Sequence, residues 1–349
     1  MSAARDLVSV LVEPARAAAL DSDRWTQILA VARAEQMMGT LAARVGDLAP
    51  VGAAAILADA KAAAKEGRRQ ALWEAEMARR ALHGVVAPLI LLKGTAFAAA
   101  GRSAGSGRGI GDLDILVPRD AIGRVEAALL AHGWMWVKSD SYDDRYYRQW
   151  MHELPPMIHP ERDRMIDVHH TILPLTARQK PDAVLLIKDA EPLGNGLAML
   201  SREDVVLHAA IHLLADGDLA GGLRNLWDID RLLREFADDD PEYWDRLTHR
   251  AQQHGVVPVI ARALRLSHHL FATPVPPTDR GLGLTDRLYL RRLLARDGWG
   301  RATRPGTRLA FYIRSHWLRM PPLLLARHLW IKWRRSGAAE QLPPRPAPQ

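Results

Sequence analysis

Asp112 and Asp114 lie two residues apart in the run Gly111-Asp112-Leu113-Asp114-Ile115-Leu116-Val117, which is otherwise apolar and β-branched. Side chains alternate along a strand, so both carboxylates share one face while Leu113, Ile115 and Val117 supply the buried partners. Such a pair suits hard divalent cations, which take oxygen ligands. Two of these ions roughly 3.5–4 Å apart can clamp the attacking and leaving oxygens of a phosphoryl displacement. Upstream, Lys93-Gly94-Thr95 follows the apolar run Leu89 to Leu92. A glycine there lets the backbone come close to a phosphate, and Thr95 is expected to open a helix through Ala100 whose first amides face an anion. Lys93 as a point charge and Arg108 as a planar fork are the candidate cations for phosphate.

These groups must be held by a small alternation of strands and helices. Val85 to Leu92 reads as a first strand, with Pro88 confined to its early part. The glycine-rich loop Gly101 to Gly111 precedes a strand and lacks a Gly-Lys-Ser/Thr ending, so it is neither a dinucleotide fingerprint nor a P-loop. Asp120 to His132 reads as a helix closed by Gly133, and Trp134 to Val137 as a strand. Residues 138–164 are polar and aromatic, as expected of a loop or hairpin over the site, and Met165 to Val168 is a further strand that brings a third carboxylate, Asp167, beside the pair. Residues 1–84 are helical by period. Most of the chain after 199 is helical too, with Ser201-Arg202-Glu203-Asp204 as a capping box. Asp228-Ile229-Asp230 repeats the Asp-x-Asp spelling inside a helical pattern. There i and i+2 lie about 200° apart, so the two diverge, and Asp228 is expected to pair with Arg224 or Arg231. His208, His212 and Asp216 fall on one helical face that could hold a metal, but packing is the commoner use of such histidines.

The order of apolar strand, Lys93-Gly94, helix, loop with Arg108, then Gly111 to Val117 resembles the uncharacterised nucleotidyltransferase family of the polymerase-β-like superfamily. Met165-Ile166-Asp167-Val168-His169 is similar to that family's Ile-Asp-Leu-His strand, and Leu223 to Asp228 to a segment of its helical part. The resemblance covers about residues 24 to 270 and is most specific at these motifs. It implies an α/β (α+β) nucleotidyltransferase core at 85–198, a helical region at 1–84, a second at 199–335, and a disordered tail at 336–349. It further implies transfer of a nucleoside monophosphate from an NTP, with ATP expected, to an acceptor, with release of pyrophosphate and with Mg2+ or Mn2+ bound. Asp112 and Asp114 would hold the metal, Asp167 would complete the site or act as base, and Lys93, Gly94, Thr95 and Arg108 would bind the triphosphate. His169 is expected to orient Asp167 or the substrate, or to be a satisfied core histidine.

At 349 residues the chain exceeds one ordinary domain, consistent with a core plus helical attachments. It contains no cysteine, which excludes disulfides and thiolate chemistry. No run approaches the ~18 apolar residues of a spanning helix, and the N-terminus lacks a signal pattern, so a cytoplasmic protein is expected. Between Asp297 and Glu340 there is no acidic residue, yet nine Arg and Lys occur among Trp317, Trp330 and Trp333; the formal net charge of the whole chain is only +7. Such a segment either packs on the domain with solvated arginines or lies on an anionic membrane or nucleic acid. The alternative to catalysis is therefore an inactive protein of the same fold that docks through this segment. The acceptor itself, a small molecule, a peptide or a nucleic acid, leaves no signature.

Overall fold

A computed structural model of the chain describes residues 2–137, 147–238 and 240–319. Four helices lead: α1 (Ala3–Val12), α2 (Ser22–Ala34), α3 (Met38–Val45) and the long α4 (Val51–Ala81). Alanine and straight-chain residues dominate α4, the composition that loses least entropy in a helix. The strands follow: β1 (Leu89–Leu91), β2 (Leu113–Leu116), β3 (Met135–Trp136), β4 (Met157–His159), β5 (Arg164–His169), β6 (Glu191–Gly194) and β7 (Leu197–Met199). Between them run α5 (Lys93–Ala99), α6 (Ile122–Ala131) and α7 (Ala183–Lys188). The chain then turns helical: α8 (Arg202–Ile211), α9 (Gly222–Asp238), α10 (Tyr243–Gln253), α11 (Val257–Phe271), α12 (Leu284–Leu293) and α13 (Pro305–Arg319).

The seven strands form one mixed sheet in the order β3-β4-β5-β2-β1-β7-β6. Its centre is the apolar part of the sequence. Every residue of β1 and β2 is buried, as expected of strands covered on both faces. β2 runs antiparallel to β1 and parallel to β5, with Asp114 opposite Asp167 and Leu116 opposite His169. That register sets two carboxylates side by side on neighbouring strands.

Several expectations are refined. The expected helix from Asp120 begins with a short 3-10 turn at Arg119–Ala121, and its regular part is α6. Within the region 138–164, expected as a loop or hairpin, β4 forms an antiparallel hairpin with β5 and also pairs with β3, so that part belongs to the sheet itself. Residues 138–146, which include Tyr142 and Tyr146, lie outside the described residues. β6 and β7 were not foreseen. Ser201 caps α8 by accepting from the Asp204 amide at 3.3 Å. The Pro-rich tail and the basic segment beyond Arg319 lie outside the described residues.

Candidate active site

Asp114 sits in the middle of β2 and is 2% exposed. Asp112 precedes the strand and is exposed, and Asp167 on β5 is half-buried. One carboxylate oxygen from each of Asp112, Asp114 and Asp167 lies within 4.8 Å of the others. Lys93 occupies the turn from β1 into α5 at φ +48°, in the left-handed region that few non-glycine residues adopt. Its Nζ donates to Asp114 Oδ1 at 2.7 Å, and the Leu92 amide donates to the Asp114 carbonyl at 2.9 Å. His169 approaches the same Oδ1 with Nε2 at 3.0 Å. The histidine thus orients Asp114, where Asp167 or the substrate was expected.

These contacts divide the carboxylates. Burial alone would push Asp114 up, but the Lys93 ammonium and the His169 hydrogen bond outweigh it and hold the group well below the usual carboxylate range. Among the described residues Asp167 has no such donor. Burial first, and then the charge of Asp114, raise it to about 6. Lys93 is raised: Asp114 overcomes the burial that would lower it. His169 is raised as well, its burial being offset by the bond to Asp114 and the charge of Glu153.

Asp112 and Asp114 open on a cleft of about 880 Å³, the size of a small-ligand pocket, lined also by Lys93, Gly94, Arg108, His212 and Arg224 together with α3 and α4 residues such as Gly39 and Gly67; Asp167 lies beside the pair and is not among the lining residues. Gly94 is required by Arg108: a Cβ there would sit 1.8 Å from Arg108 Nη1. Gly107 and Gly39 approach each other in the same way, a Cβ on Gly107 meeting the Gly39 carbonyl at 2.1 Å. This fixes the glycine-rich loop against α3.

Arg108 is 7% exposed, and its Nε donates to Asp228 Oδ2 at 2.9 Å. That pairing corrects the expectation for Asp228, since Arg231 instead contacts Asp230. Asp228 and Asp230 do diverge, the latter receiving Arg234 and Thr273. Arg224, read earlier only as a partner for Asp228, reaches the Gly109 carbonyl at 3.4 Å and stands at the cleft wall, its pKa lowered by burial and by Arg108. Thr95 is 1% exposed, sits one position past Gly94 within α5, and is not among the residues lining the cleft. A smaller cavity of about 50 Å³ lies behind Arg108, lined by Phe97, His208 and Asp228. Burial keeps His208 neutral, and the helix becomes π-helical over His212–Asp216, so Asp216 leaves the α-helical register of the face expected for His208, His212 and Asp216.

Sequence reasoning passed over His152 and Glu153. Their backbone extends the sheet: the Leu154 amide donates to the Val168 carbonyl and the His170 amide to the His152 carbonyl, each at 2.9 Å. Glu153 thereby faces His169 across an antiparallel bridge. Burial above all raises Glu153 to about 7. The dipeptide sits between Met151 and Leu154-Pro155-Pro156, with no strand-like alternation and two prolines just after it, so only the pairing reveals it.

Residues 21–272 match a family described as uncharacterised nucleotidyltransferase. No curated protein and no solved structure matches the chain.

Proposed function

The chain belongs to the uncharacterised nucleotidyltransferase family, and on that premise we propose that it transfers a nucleoside monophosphate from an NTP, ATP first among them, to an acceptor hydroxyl. One observation carries the reading. Asp112, Asp114 and Asp167 converge within 4.8 Å at the edge of a cleft that also presents Lys93, Gly94, Arg108 and Arg224. The donor set is all oxygen, and Asp167 Oδ1 is buried without a hydrogen bond among the described residues, so the three carboxylates fit a hard divalent cation such as Mg2+ or Mn2+. When bound, that ion would neutralise phosphate charge as it develops.

The protein's own groups supply the rest. Arg108 and Arg224 form a cationic wall for the triphosphate, with Gly94 keeping the backbone low beneath it. Lys93 holds Asp114 ionised and in place. The acceptor oxygen attacks the α-phosphorus and forms a new P–O bond. The bond from that phosphorus to the oxygen bridging to the β-phosphate breaks, and pyrophosphate leaves with the electron pair. Asp167, whose basicity is raised by its surroundings, takes the acceptor's proton. Incubating the purified protein with α-labelled and γ-labelled NTPs and a fractionated cell extract tests this. Label from the α position, and not the γ position, should enter one fraction of small molecules, peptides or nucleic acid. Transfer of γ-label, or no metal-dependent transfer at all, contradicts it.

We also infer peripheral contact with an anionic membrane through the basic C-terminal segment, on one specific observation. In α13, Phe311 and Ser315 are buried and Arg314 donates to the Leu214 carbonyl at 2.8 Å, so that face packs on the domain. Leu309, Tyr312, Ile313 and Trp317 fall at i, i+3, i+4 and i+8 and are exposed. An apolar stripe beside arginines is the pattern of an interfacial helix. No helix among the described residues is long and apolar enough to cross a membrane.

A further inference from the structure

We propose that His152, Glu153 and His169 form a second metal site, one that takes a borderline transition ion of the Zn2+ type and lies behind the carboxylate cluster. The three side chains offer two imidazole nitrogens and one carboxylate oxygen within 4.8 Å of one another. His169 Nδ1 lies 3.4 Å from Glu153 Oε2, and His152 Nε2 lies 3.8 Å from the same oxygen. Around a tetrahedral zinc with ligand distances of roughly 2.0–2.2 Å, neighbouring donor atoms are about 3.3–3.6 Å apart. The observed spacings therefore need only a small adjustment of His152 to close on an ion, with a fourth position left for water.

The hydrogen bonding around His169 points the same way. Its Nε2 faces Asp114 Oδ1 at 3.0 Å, and a carboxylate there requires Nε2 to carry the proton. In the neutral ring Nδ1 then bears a lone pair. His169 is 2% exposed, and its Nδ1 makes no hydrogen bond among the described residues while pointing toward a carboxylate oxygen. Two acceptors facing each other in a buried place need a positive centre between them, a metal ion or a proton, and the nearby His152 nitrogen supplies the third donor that a metal ion would use. A carboxylate, a histidine and a metal in line is also the usual outer support of a metal-bound imidazole. Asp114 fills that supporting role while belonging to the first cluster, so an ion on Nδ1 would strengthen the Nε2–H bond and lock Asp114 in position. The pairing of residues 152–154 with β5 supplies the rigid backing such a site needs.

Ligand chemistry separates the two sites. Three carboxylates prefer Mg2+ or Mn2+, whereas imidazole nitrogens select later transition ions. The probe is Co2+ alone, added without nucleotide to full-length, chelator-stripped protein. One equivalent should produce the intense visible absorption of four-coordinate cobalt, be displaced by Zn2+ and survive excess Mg2+. Glu153→Gln and His152→Gln should each weaken binding about 10-fold or more, and Asp112→Asn should leave it unchanged. As a check that needs no variant, ring 15N resonances of two histidines should shift when Zn2+ is added to the wild type. No cobalt band, a band lost in Asp112→Asn but kept in Glu153→Gln, or unmoved histidine resonances would each overturn the proposal and show that only a proton bridges the pair. None of these readouts involves transfer activity, so they stand or fall apart from the nucleotidyltransferase reading.

Discussion

Mg2+ should stabilise the protein more at pH 8 than at pH 5, and the difference can be worked from Asp167. Its carboxyl stands at about 6 in the folded chain against an ordinary 3.8, raised first by burial and then by Asp114. Between these values the folded state binds a proton that the unfolded state has lost. Metal-free stability therefore falls as pH rises from about 4 to 6, by up to about 3 kcal/mol at 1.36 kcal/mol per unit. Above pH 6 Asp167 is ionised beside Asp114 and the two carboxylates repel each other, which is the state a cation relieves. At pH 5 roughly nine in ten Asp167 groups carry a proton that the metal must displace, a tenfold loss of apparent affinity. At saturating Mg2+ that is worth about 1.4 kcal/mol. For a chain of 349 residues the metal-induced rise in Tm should be greater at pH 8 by about 2 °C. Thermal unfolding with and without Mg2+ from pH 5 to 8 measures it. Asp112→Asn is the control, because Asp112 is exposed and its removal leaves the Lys93 and His169 contacts of Asp114 intact. A metal response that ignores pH, or one that persists in Asp112→Asn, refutes the reasoning.

Four further outcomes are expected. Asp167→Asn should lower transfer by ~10²-fold or more while NTP binding, followed by nucleotide fluorescence, survives. Asp228→Ala strands the buried Arg108 guanidinium and should cost about 3–5 kcal/mol in denaturant unfolding, whereas Asp228→Asn, which keeps an acceptor, should cost less and leave a folded enzyme active; loss of catalysis in folded Asp228→Asn with Asp112→Asn still active would mean that Asp228 is the site. Gly94→Ala must displace Arg108 from the cleft wall and should raise the KM for NTP without abolishing the fold. Purified protein should co-sediment with anionic but not neutral liposomes, lose part of that binding in high salt, and lose most of it when Trp317, Ile313 and Leu309 become serine; equal binding to neutral vesicles, or none to either, removes the membrane reading.

What could be read from the sequence follows the period of each element. β2 and the Met165 to Val168 part of β5 are short, apolar and interrupted only by their carboxylates, so Asp114 and Asp167 were visible as strand residues, and their alignment follows once the two strands pair. β6 and β7 escaped because Glu191-Pro192-Leu193-Gly194 has neither alternation nor β-branched residues; it is an edge strand, defined by its partner. Glu153 escaped for a related reason, since its place is set by the bridge to His169. Arg108 was expected as a cation for phosphate, but its partner Asp228 lies 120 residues away on α9. Nothing local to either residue announces that pair. The helical rotation of about 100° per residue did separate Asp228 from Asp230 correctly, and could not say which arginine each would meet.

The same limit explains why Asp112 and Asp114, equivalent in the Asp-x-Asp spelling, are unequal in the fold. Asp112 is exposed, and none of the described hydrogen bonds or ion pairs of the site holds it. Asp114 is buried, and its Oδ1 satisfies both the Lys93 ammonium and the His169 ring. Removing Asp112 subtracts only a proposed metal ligand. Removing Asp114 also leaves a buried cation and a buried imidazole without their acceptor, a loss of the order of 3–5 kcal/mol for the ion pair alone. An inactive Asp114 variant therefore says little about metal chemistry until its stability is known, and a comparison built on Asp112 and Asp167 separates catalysis from folding. The buried aspartate is shared by the carboxylate cluster and the His152, Glu153 and His169 group: the one oxygen that accepts from Lys93 also faces the ring of His169, so a variant at Asp114 perturbs both at once.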